Sequence, residues 1–494
     1  MKERKKMRAT NLTLLTDLYE LTMMQGYFKN PTDQVVIFDA FYRTNPCDGG
    51  YAVCCGLSQV IEYVKGLHFK YEDIEYLRGL HIFEEDFLEY LAGFHFTGDI
   101  WGIPEGTVIF PREPMLKVVA PIMQAQLVET AVLNMLNHQS LIATKAARVC
   151  YAAKGDGVME FGLRRAQGPD AGLYGARAAV IGGCVGTSNV LCGKMFDVPV
   201  LGTHAHSWIM SFPSEYEAFK AYAEMYPNAC TLLVDTYDTL NSGVPNAIKV
   251  FQEMKESGVK LTKYGIRMDS GDLAYLSKKA YKMLCDAGFP DAIISASSDL
   301  DEYLIDSLKQ QGAMINSWGV GTNLITSKGN PAFGGVYKLA AIKNAGEKEF
   351  TPKIKLSENT EKITNPGNKK IYRIYDKESG KIRADLICLE EENYTEDQDI
   401  ILFDPIETWK KTKIHAGTFT LREIMVQVFK NGECVYNDPA TTMEIRDRCL
   451  KEQATMWDET RRLVNPHQMY VDLSDKLYAI KSKLLEEMSW NSLK

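Results

Sequence analysis

The stretch TLLVDTYDTLNSGVPNAIKVFQEMKESGVKLTKYGIRMDSGD, residues 231–272, decides the fold. It opens with a short apolar run at Thr231–Asp235, continues through an amphipathic helical pattern at Val244–Glu256, and reaches a second apolar run at Tyr264–Met268. A strand, a helix and another strand at this spacing predict a helical crossover between two parallel strands.

The same pattern repeats on both sides of this stretch. Ser214–Met225 and Leu273–Ala287 have the apolar spacing of amphipathic helices. The other predicted strands are Val158–Phe161, Val198–Gly202, Ala292–Ala296, Met314–Val320 and Gly335–Ile342. About seven parallel strands predict an α/β fold of the irregular barrel type, with a flat doubly wound sheet as the alternative.

The segments on either side of this region show no regular alternation of strands and helices. The N-terminal part predicts a helix at Leu12–Phe28 and a strand at Val35–Tyr42, and a long helical pattern covers Gln126–Ala153. Residues 343–400 are rich in charged and polar side chains, and Asn431-Gly432 predicts a hairpin turn. Further strands are predicted at Lys369–Tyr375 and Lys381–Leu389, and further helices at Thr442–Trp457 and Leu473–Met488. We therefore expect residues 1–130 and 343–494 to form one domain, with a barrel domain of residues 131–342 inserted between them.

Composition excludes several classes of protein. The net charge of −8 argues against a general nucleic-acid binder, which would usually be basic. The eleven cysteines include no CxxC pair, which indicates free thiols in a reducing compartment. No apolar run reaches the roughly 18 residues of a membrane span, and the basic start lacks the apolar core of a signal peptide. We expect a cytoplasmic protein without a nucleic-acid or membrane partner.

Polar clusters follow nearly every predicted strand. They are EFGLRRAQG, GTHAHSW, VDTYDT, RMDSGD, SSDLDE and GVGTN, at residues 160–168, 202–208, 234–239, 267–272, 297–302 and 319–323. The carboxyl ends of parallel strands meet on one face, and that face carries the active site of α/β barrels. The sequence therefore predicts a single site built from these clusters.

Two groups of residues in these clusters suit an anionic ligand, and the first group is the glycine-rich turns. Gly319 and Gly321 would let backbone N–H groups approach a phosphate, to which Thr322 and Asn323 would add donors. Residues 182–188, GGCVGTS, have the same character, and for both stretches a plain connecting turn is the alternative.

Arginines and carboxylates accompany them. Arg164, Arg165 and Arg267 could bind a carboxylate or phosphate in bidentate fashion. Asp269 and Asp272 could hold a ribose hydroxyl, a Mg²⁺–pyrophosphate or a developing positive charge. An internal ion-pair network is the alternative for this set.

His206 is the histidine that we expect to act, with His204 behind it. Asp235 or Asp238, on the next strand end, could hold the His206 ring in one tautomer, so that it serves as a base or nucleophile. A structural histidine is the alternative. The other six histidines show no zinc-ligand spacing.

Longer matches at these residues make the sequence recognisable. The chain resembles the nicotinate phosphoribosyltransferases, within the type II phosphoribosyltransferases, from residue 12 to about 340. The matching stretches are Leu14–Met23, Phe38–Pro46, Glu160–Asp170, Gly186–Leu191, Gly202–Trp208, Leu232–Gly243, Ile266–Leu273, Gly319–Leu324 and Phe333–Leu339.

The resemblance implies a fold and a reaction. The fold is an irregular α/β barrel of about seven strands with an open-faced α/β sandwich from the two ends of the chain, in a homodimer with shared active sites. The reaction joins nicotinate to phosphoribosyl pyrophosphate and releases pyrophosphate, for the salvage synthesis of NAD. ATP hydrolysis assists it through a phosphohistidine, which matches His206, and Mg²⁺ accompanies the phosphates, with Asp269 as a candidate ligand.

Residue roles follow from the same resemblance. Phe161 and Tyr19 of the partner subunit would sandwich the pyridine ring, and Arg267 would lie beside its carboxylate. Arg164 or Arg165 would face pyrophosphate or the 5′-phosphate. Asp269 and Asp299 would hold the ribose and Mg²⁺ region. Gly319, Gly321 and Thr322 would cradle the 5′-phosphate. Thr203 and Asp235 complete the expected substrate-binding set.

Ser188 carries the predicted base preference. Nicotinamide-using relatives have an aspartate at the matching position, and its charge would repel a carboxylate. Ser188 therefore favours nicotinate. The alternatives are a nicotinamide-specific enzyme, a decarboxylating quinolinate enzyme, against which GTHAHSW argues, and a non-catalytic nucleotide-binding barrel.

Overall fold

The computed structural model describes residues 11–30, 33–357, 359, 362–407 and 409–491. The chain divides into two compact units. The first unit consists of Met1–Leu141, Ala332–Pro439 and Arg448–Lys494, and the second of Ile142–Pro331 and Ala440–Asp447. The main boundaries thus fall after Leu141 and Pro331, whereas the sequence pattern sets them after residues 130 and 342.

The second unit contains a parallel sheet. Its strands are β1 (Gly157–Glu160), β2 (Gly186–Thr187), β3 (Cys230–Leu233), β4 (Tyr264–Met268), β5 (Ile293–Ala296) and β6 (Ser317–Val320). Their order across the sheet is β2-β1-β6-β5-β4-β3, and every neighbouring pair is parallel. The predicted parallel crossovers are therefore present, in a sheet of six strands.

The predicted strand Val198–Gly202 is reduced to one parallel bridge, between Val200 and Thr187. Thr187 donates to the Pro199 carbonyl over 3.0 Å and accepts from the Leu201 N–H over 2.9 Å. The ladder stops there because β2 offers only two residues and Pro199 has no N–H to donate.

Helices connect these strands. They are Pro169–Gly182, Val190–Phe196, His206–Met210, Glu215–Met225, Val244–Glu256, Leu273–Asp286, Glu302–Gln310 and Thr322–Ile325, with a 3₁₀ turn at Leu163–Arg165 and a π turn at Thr239–Gly243. The helix Glu129–Ala152 precedes β1, and its residues 142–152 belong to this unit. Val244–Glu256 buries Val244, Ala247, Val250, Phe251 and Met254, which is one face of a helix. Asp272 and Asp301 cap the next two long helices by accepting the N–H groups of Tyr275 and Leu304.

The first unit contains two larger sheets. A seven-stranded antiparallel sheet has the order Thr351–Pro352, Val336–Lys343, Val35–Phe41, Leu116–Pro121, Asp99–Gly102, Val426–Lys430 and Glu433–Cys434. A six-stranded mixed sheet has the order Lys411–Ile414, Ile400–Phe403, Tyr470–Leu473, Ile382–Leu389, Lys369–Asp376 and Phe419–Glu423. A short pair joins Ala52–Val53 to Val108–Ile109.

The assignment of Gly335–Ile342 to the parallel series is wrong. Val336–Lys343 is a strand, but it pairs antiparallel with Val35–Phe41 along its whole length. Phe38 and Tyr337 stack across this pair with ring centroids 4.6 Å apart, which ties the strand to the first unit.

The first unit also contains the helices Leu18–Lys29, Leu57–Lys65, Tyr71–Arg78, Glu85–Ala92, Ile122–Leu127, Asp458–Arg461 and Asp475–Asn491. Of the helix Thr442–Ala454, residues 442–447 belong to the second unit and residues 448–454 to the first. The predicted hairpin at Asn431-Gly432 is confirmed, since both residues have positive φ, at 50° and 81°. No helix of the described residues is long and apolar enough to cross a membrane.

Candidate active site

The carboxyl edge of the parallel sheet collects the predicted residues. Because neighbouring strands are all parallel, the residues that follow them emerge on the same edge. These residues are Phe161 after β1, Ser188 after β2, Asp235 after β3, Asp269 after β4, Ser297 after β5 and Gly321 after β6.

Arg267, near the end of β4, is held by four groups. Its Nε donates to the Ser297 hydroxyl over 2.9 Å and its Nη1 to the Thr203 hydroxyl over 2.8 Å. Its Nη2 lies 3.4 Å from Asp269 Oδ1, and its guanidinium carbon is 5.9 Å from the Phe161 ring centroid. The guanidinium is thus fixed beside a flat aromatic surface, with N–H groups on Nη1 and Nη2 still free to donate.

Gly319 makes room for the Phe161 ring. A Cβ at Gly319 would lie 2.6 Å from Phe161 Cδ2, a distance that real side chains do not reach. Any larger residue would push the ring out of its position beside Arg267. The structure therefore gives Gly319 a packing role, and its expected phosphate contact stays a prediction.

Asp235 fixes the loop that carries Asp269. Its Oδ2 accepts the Asp269 N–H and the Ser270 hydroxyl, each over 2.7 Å. Its Oδ1 is buried and has no hydrogen-bond partner among the described residues. Asp235 thus presents one satisfied and one open oxygen at the sheet edge.

His206 starts a short helix and is only partly buried. Its Nδ1 lies 3.0 Å from the Thr236 hydroxyl, and its Nε2 lies 3.9 Å from Asp269 Oδ2. Neither Asp235 nor Asp238 orients the ring as predicted, because Asp235 holds Asp269 and Asp238 caps the turn at Leu240 and Asn241. The Thr236 hydroxyl is instead the group that hydrogen-bonds to the His206 ring.

His204, two residues earlier, is a structural histidine. It is 8% exposed, its Nε2 accepts the Leu233 N–H over 3.3 Å, and its ring packs edge-on against Tyr222 at 4.6 Å. Burial lowers the pKa of His204 to about 4, so the ring is neutral near pH 7 and can accept this hydrogen bond.

Glu160 lies beneath the loops that follow β1 and β2. Its carboxylate is fully buried and accepts the Thr187 hydroxyl over 2.5 Å and the Gly162 N–H. Burial raises the pKa of Glu160, and these two donors oppose the rise. The Ser188 N–H donates to the Glu160 carbonyl over 3.0 Å, so one residue fixes the positions of Phe161 and Ser188.

The turn after β5 is held from the turn after β6. Ser298 and Asp299 both have positive φ, at 93° and 41°, which is unusual for residues with a side chain. The Asn323 amide donates to the Asp299 carbonyl over 2.6 Å and to the Leu300 carbonyl over 3.2 Å. The expectation that Asn323 donates to an anion is therefore wrong, because its amide stabilises this turn.

Three predicted residues lie outside this network. The side chains of Arg164 and Arg165 are exposed in the 3₁₀ turn after Phe161 and make no hydrogen bond or ion pair in the described part of the chain. Tyr19 belongs to the first unit, where its side chain is 45% exposed near the start of Leu18–Lys29. Burial and nearby carboxylates raise the pKa of Tyr19 to about 12.

Sequence patterns missed three residues that bind the site together. Ser297, Thr236 and Glu160 all lie inside the predicted polar clusters, but their residue types give no sign of a partner. Their hydrogen bonds connect strands that are far apart in the chain, so only the folded structure identifies them.

The site offers oxygen ligands but no complete metal cage. Among the described residues, no group of three or more His, Cys, Asp or Glu side chains could hold a metal ion. The open oxygens of Asp235 and Asp269 fit a hard divalent cation that arrives bound to a polyphosphate, because such a cation keeps most of its ligands from phosphate and water.

Family models match almost the whole chain. The N-terminal domain of nicotinate phosphoribosyltransferase matches residues 14–137, the nicotinate phosphoribosyltransferase family model matches residues 157–378, and the C-terminal domain matches residues 368–481. The chain belongs to the nicotinate phosphoribosyltransferase family.

Individual members of the family agree with this assignment. The chain is 44% identical to nicotinate phosphoribosyltransferase of Bacillus subtilis, over 97% of this chain and 98% of the relative. It is 36% identical to the Caenorhabditis elegans enzyme, over 94% and 92%. The crystal structure of human nicotinic acid phosphoribosyltransferase superposes with a TM-score of 0.81 and 28% identity, covering 95% of this chain and all of the human chain.

Proposed function

We propose that this protein is a nicotinate phosphoribosyltransferase that forms nicotinate mononucleotide and pyrophosphate, in the salvage of NAD. Family membership over nearly the full chain supports the reaction class. The observation that carries the substrate assignment is the Arg267 guanidinium held beside the Phe161 ring. A planar pyridine ring with one carboxylate matches an aromatic face next to a cation.

The base would bind through the groups that Arg267 keeps free. Its hydrogen bonds to Ser297, Thr203 and Asp269 occupy three N–H groups, and the remaining ones on Nη1 and Nη2 suit a bidentate carboxylate. Ser188 brings no negative charge to this edge. Nicotinate therefore fits better than nicotinamide, which lacks the charge that an arginine selects.

Transfer needs little proton chemistry. The ring nitrogen of nicotinate attacks the ribosyl carbon with its lone pair, and the bond from that carbon to the pyrophosphate oxygen breaks. The nitrogen carries no proton, so no general base is required. Positive charge develops on the ribose, where the Asp269 and Asp235 carboxylates would stabilise it electrostatically.

ATP hydrolysis would enter through His206. An imidazole nitrogen attacks the γ-phosphorus, the bond to the bridging oxygen breaks and ADP leaves; water later releases the phosphoryl group as phosphate. The partly exposed position of His206 supports this role, whereas His204 is held in the interior. Mg²⁺, near Asp235 and Asp269, would neutralise charge on the phosphates.

Phosphate contacts are proposed for Arg164 or Arg165 and for the turn of Gly319, Gly321 and Thr322, with Asp299 near the ribose. The support is their position at or just after the ends of β1, β6 and β5, on one edge. The two arginines are exposed and have donors to offer, since the described residues give them no partner.

Larger-scale features belong to the same proposal. We infer that Val198–Gly202 closes the parallel sheet into a barrel, because Val200 bridges to β2 and His204 accepts a hydrogen bond from β3. We also propose a cytoplasmic homodimer with shared sites and a sandwich-type first unit. The exposure of Leu15, Leu18, Tyr19 and Met23 supports a subunit contact at the first helix.

The deciding measurement is product formation from phosphoribosyl pyrophosphate and Mg²⁺ with nicotinate, nicotinamide or quinolinate, with and without ATP. We expect nicotinate to be preferred and ATP to raise the rate. His206→Asn should abolish coupled ATP hydrolysis and leave slow transfer without ATP, whereas His415→Asn, at an exposed histidine, should change neither. Preference for another base would contradict the substrate, and normal ATP hydrolysis by the variant would contradict the phosphohistidine.

A further inference from the structure

The Ser297 hydroxyl connects two groups of the active site. Ser297 is 4% exposed and directly follows β5, where its N–H donates to the Met268 carbonyl over 3.0 Å. Its hydroxyl accepts from Arg267 Nε over 2.9 Å and donates to Asp269 Oδ1. Ser297 itself is buried, whereas the side chains of Arg267 and Asp269 are 17% and 34% exposed.

In these two hydrogen bonds, only one assignment of donors and acceptors is possible. Arginine can only donate, and the serine hydroxyl has a single proton to give. The order is therefore from Arg267 through Ser297 to Asp269. An aliphatic side chain at residue 297 would remove both bonds at once, and Arg267 Nε would lose its partner.

These bonds set the orientation of two side chains. With Nε held by Ser297 and Nη1 held by Thr203, the guanidinium plane is fixed, and one N–H group on each of Nη1 and Nη2 remains for a ligand. Asp269 Oδ1 receives Ser297 and Arg267 Nη2, which leaves Oδ2 directed toward His206 Nε2, 3.9 Å away.

We propose that Ser297 is a positioning residue that sets the guanidinium plane of Arg267 for the carboxylate of the base, and so determines the preference for nicotinate over nicotinamide. The inference rests on the proposed function. A bidentate hydrogen bond depends on the angle between two planes, so a guanidinium free to rotate selects a carboxylate poorly.

A buried serine elsewhere in the second unit provides the matched control. Ser277 is fully buried, donates to the Ala274 carbonyl over 3.2 Å and accepts the Met314 N–H over 3.1 Å. Ser277→Ala therefore removes a buried hydroxyl that contacts only backbone. Any general effect of such a loss on folding will appear in this variant too.

The test compares wild type with Ser297→Ala, Ser297→Cys and Ser277→Ala. The quantity measured is the ratio of kcat/KM for nicotinate to kcat/KM for nicotinamide, which does not depend on the fraction of folded enzyme. We expect the ratio to fall about tenfold or more in both residue 297 variants, the size of effect of one hydrogen bond to a charged group, and to stay unchanged in Ser277→Ala.

The outcomes separate the inference from the function. If wild type prefers nicotinate and the residue 297 variants keep the full preference, Ser297 does not position Arg267, although the proposed function stands. If wild type does not prefer nicotinate, both proposals are overturned. Should Ser297→Ala fail to fold, Ser297→Cys decides alone, since it preserves size but hydrogen-bonds weakly.

Discussion

Two sets of polar side chains occupy the carboxyl edge of the parallel sheet, and they differ in how their hydrogen bonds are satisfied. The linked set, Thr203, Asp235, Arg267, Asp269 and Ser297, forms a continuous network of hydrogen bonds within the protein. In the arginine turn, Arg164 and Arg165, both side chains are exposed and have no partner among the described residues.

We expect this difference to separate residues that stabilise the transition state from residues that bind the phosphates. Groups that are fixed by their neighbours before the substrate arrives need no reorganisation during the reaction, which is the condition for electrostatic stabilisation of a transition state. Exposed arginines on flexible stems gain their partners only when an anion binds. Changes at the carboxylates of the linked set should therefore lower kcat, and changes in the arginine turn should raise KM.

The largest effect is expected for Asp269→Asn. Removing the charge that we propose to lie beside the reacting ribose should lower kcat by about 10²–10³-fold with little change in KM for phosphoribosyl pyrophosphate, because a charge in that position acts on the transition state. Steady-state kinetics with both substrates varied provide the measurement.

Asp272→Asn is its matched control. Asp272 lies three residues further on and caps a helix through the Tyr275 N–H, a role in which asparagine is equally good. Similar losses of kcat in the two variants would show that any substitution in residues 269–272 impairs the enzyme. Such a result would contradict a specific catalytic role for Asp269.

An intermediate effect is expected for the arginine turn. Arg164→Ala or Arg165→Ala, whichever faces the phosphates, should raise KM for phosphoribosyl pyrophosphate about tenfold while kcat changes little, since a charged hydrogen bond is lost on binding. Lys278→Ala, at an exposed lysine of the second unit, serves as the control. A fall in kcat without a change in KM would break the distinction between the two sets.

Local patterns predicted much of the fold. Tyr264–Met268 and Val244–Glu256 occupy the predicted residues, because period and composition act within each segment. Gly335–Ile342 shows the limit: the strand is present, but its partner is antiparallel and distant in sequence. An apolar run does not identify its neighbour, so pairing had to come from the structure.

The candidate site was predictable at the level of clusters. Five of the six polar clusters lie at or just after the end of a strand and reach the expected edge, because parallel strands end together. The sixth, GTHAHSW, follows a single bridge, and its Thr203 hydroxyl accepts a hydrogen bond from Arg267. Individual pairings were not predictable: Asp235 holds a loop and Asp238 caps a turn, although both are aspartates of one cluster. Their roles depend on turn geometry to which the residue type gives no clue.

Ser188→Asp tests charge at the border of the linked set. Ser188 is tied to Glu160 through its backbone, and an aspartate there would add a carboxylate beside the proposed base. We expect the ratio of kcat/KM for nicotinate to that for nicotinamide to fall about tenfold, since like charges repel in a partly buried site. Ser188→Asn, of similar size without charge, should move the ratio less; equal shifts would assign the effect to size.

The smallest effect on activity is expected for His204→Asn, because the His204 ring is buried and its Nε2 accepts the Leu233 N–H. Burial lowers the pKa of His204 to about 4 from an ordinary value of 6.5, so its contribution to stability is present above pH 6.5 and is lost as the pH falls toward 4. At pH 5 the loss amounts to about 2 kcal/mol in the free energy of unfolding.

The variant should therefore lose less stability than wild type between pH 7 and pH 5, with kcat nearly unchanged at pH 7. Thermal unfolding at the two pH values measures this difference, and His95→Asn, at an exposed histidine, should behave as wild type. An unchanged pH dependence in His204→Asn would mean that the buried ring is not what couples protons to folding. A large loss of kcat would instead show that His204 contributes to catalysis and belongs with the linked set.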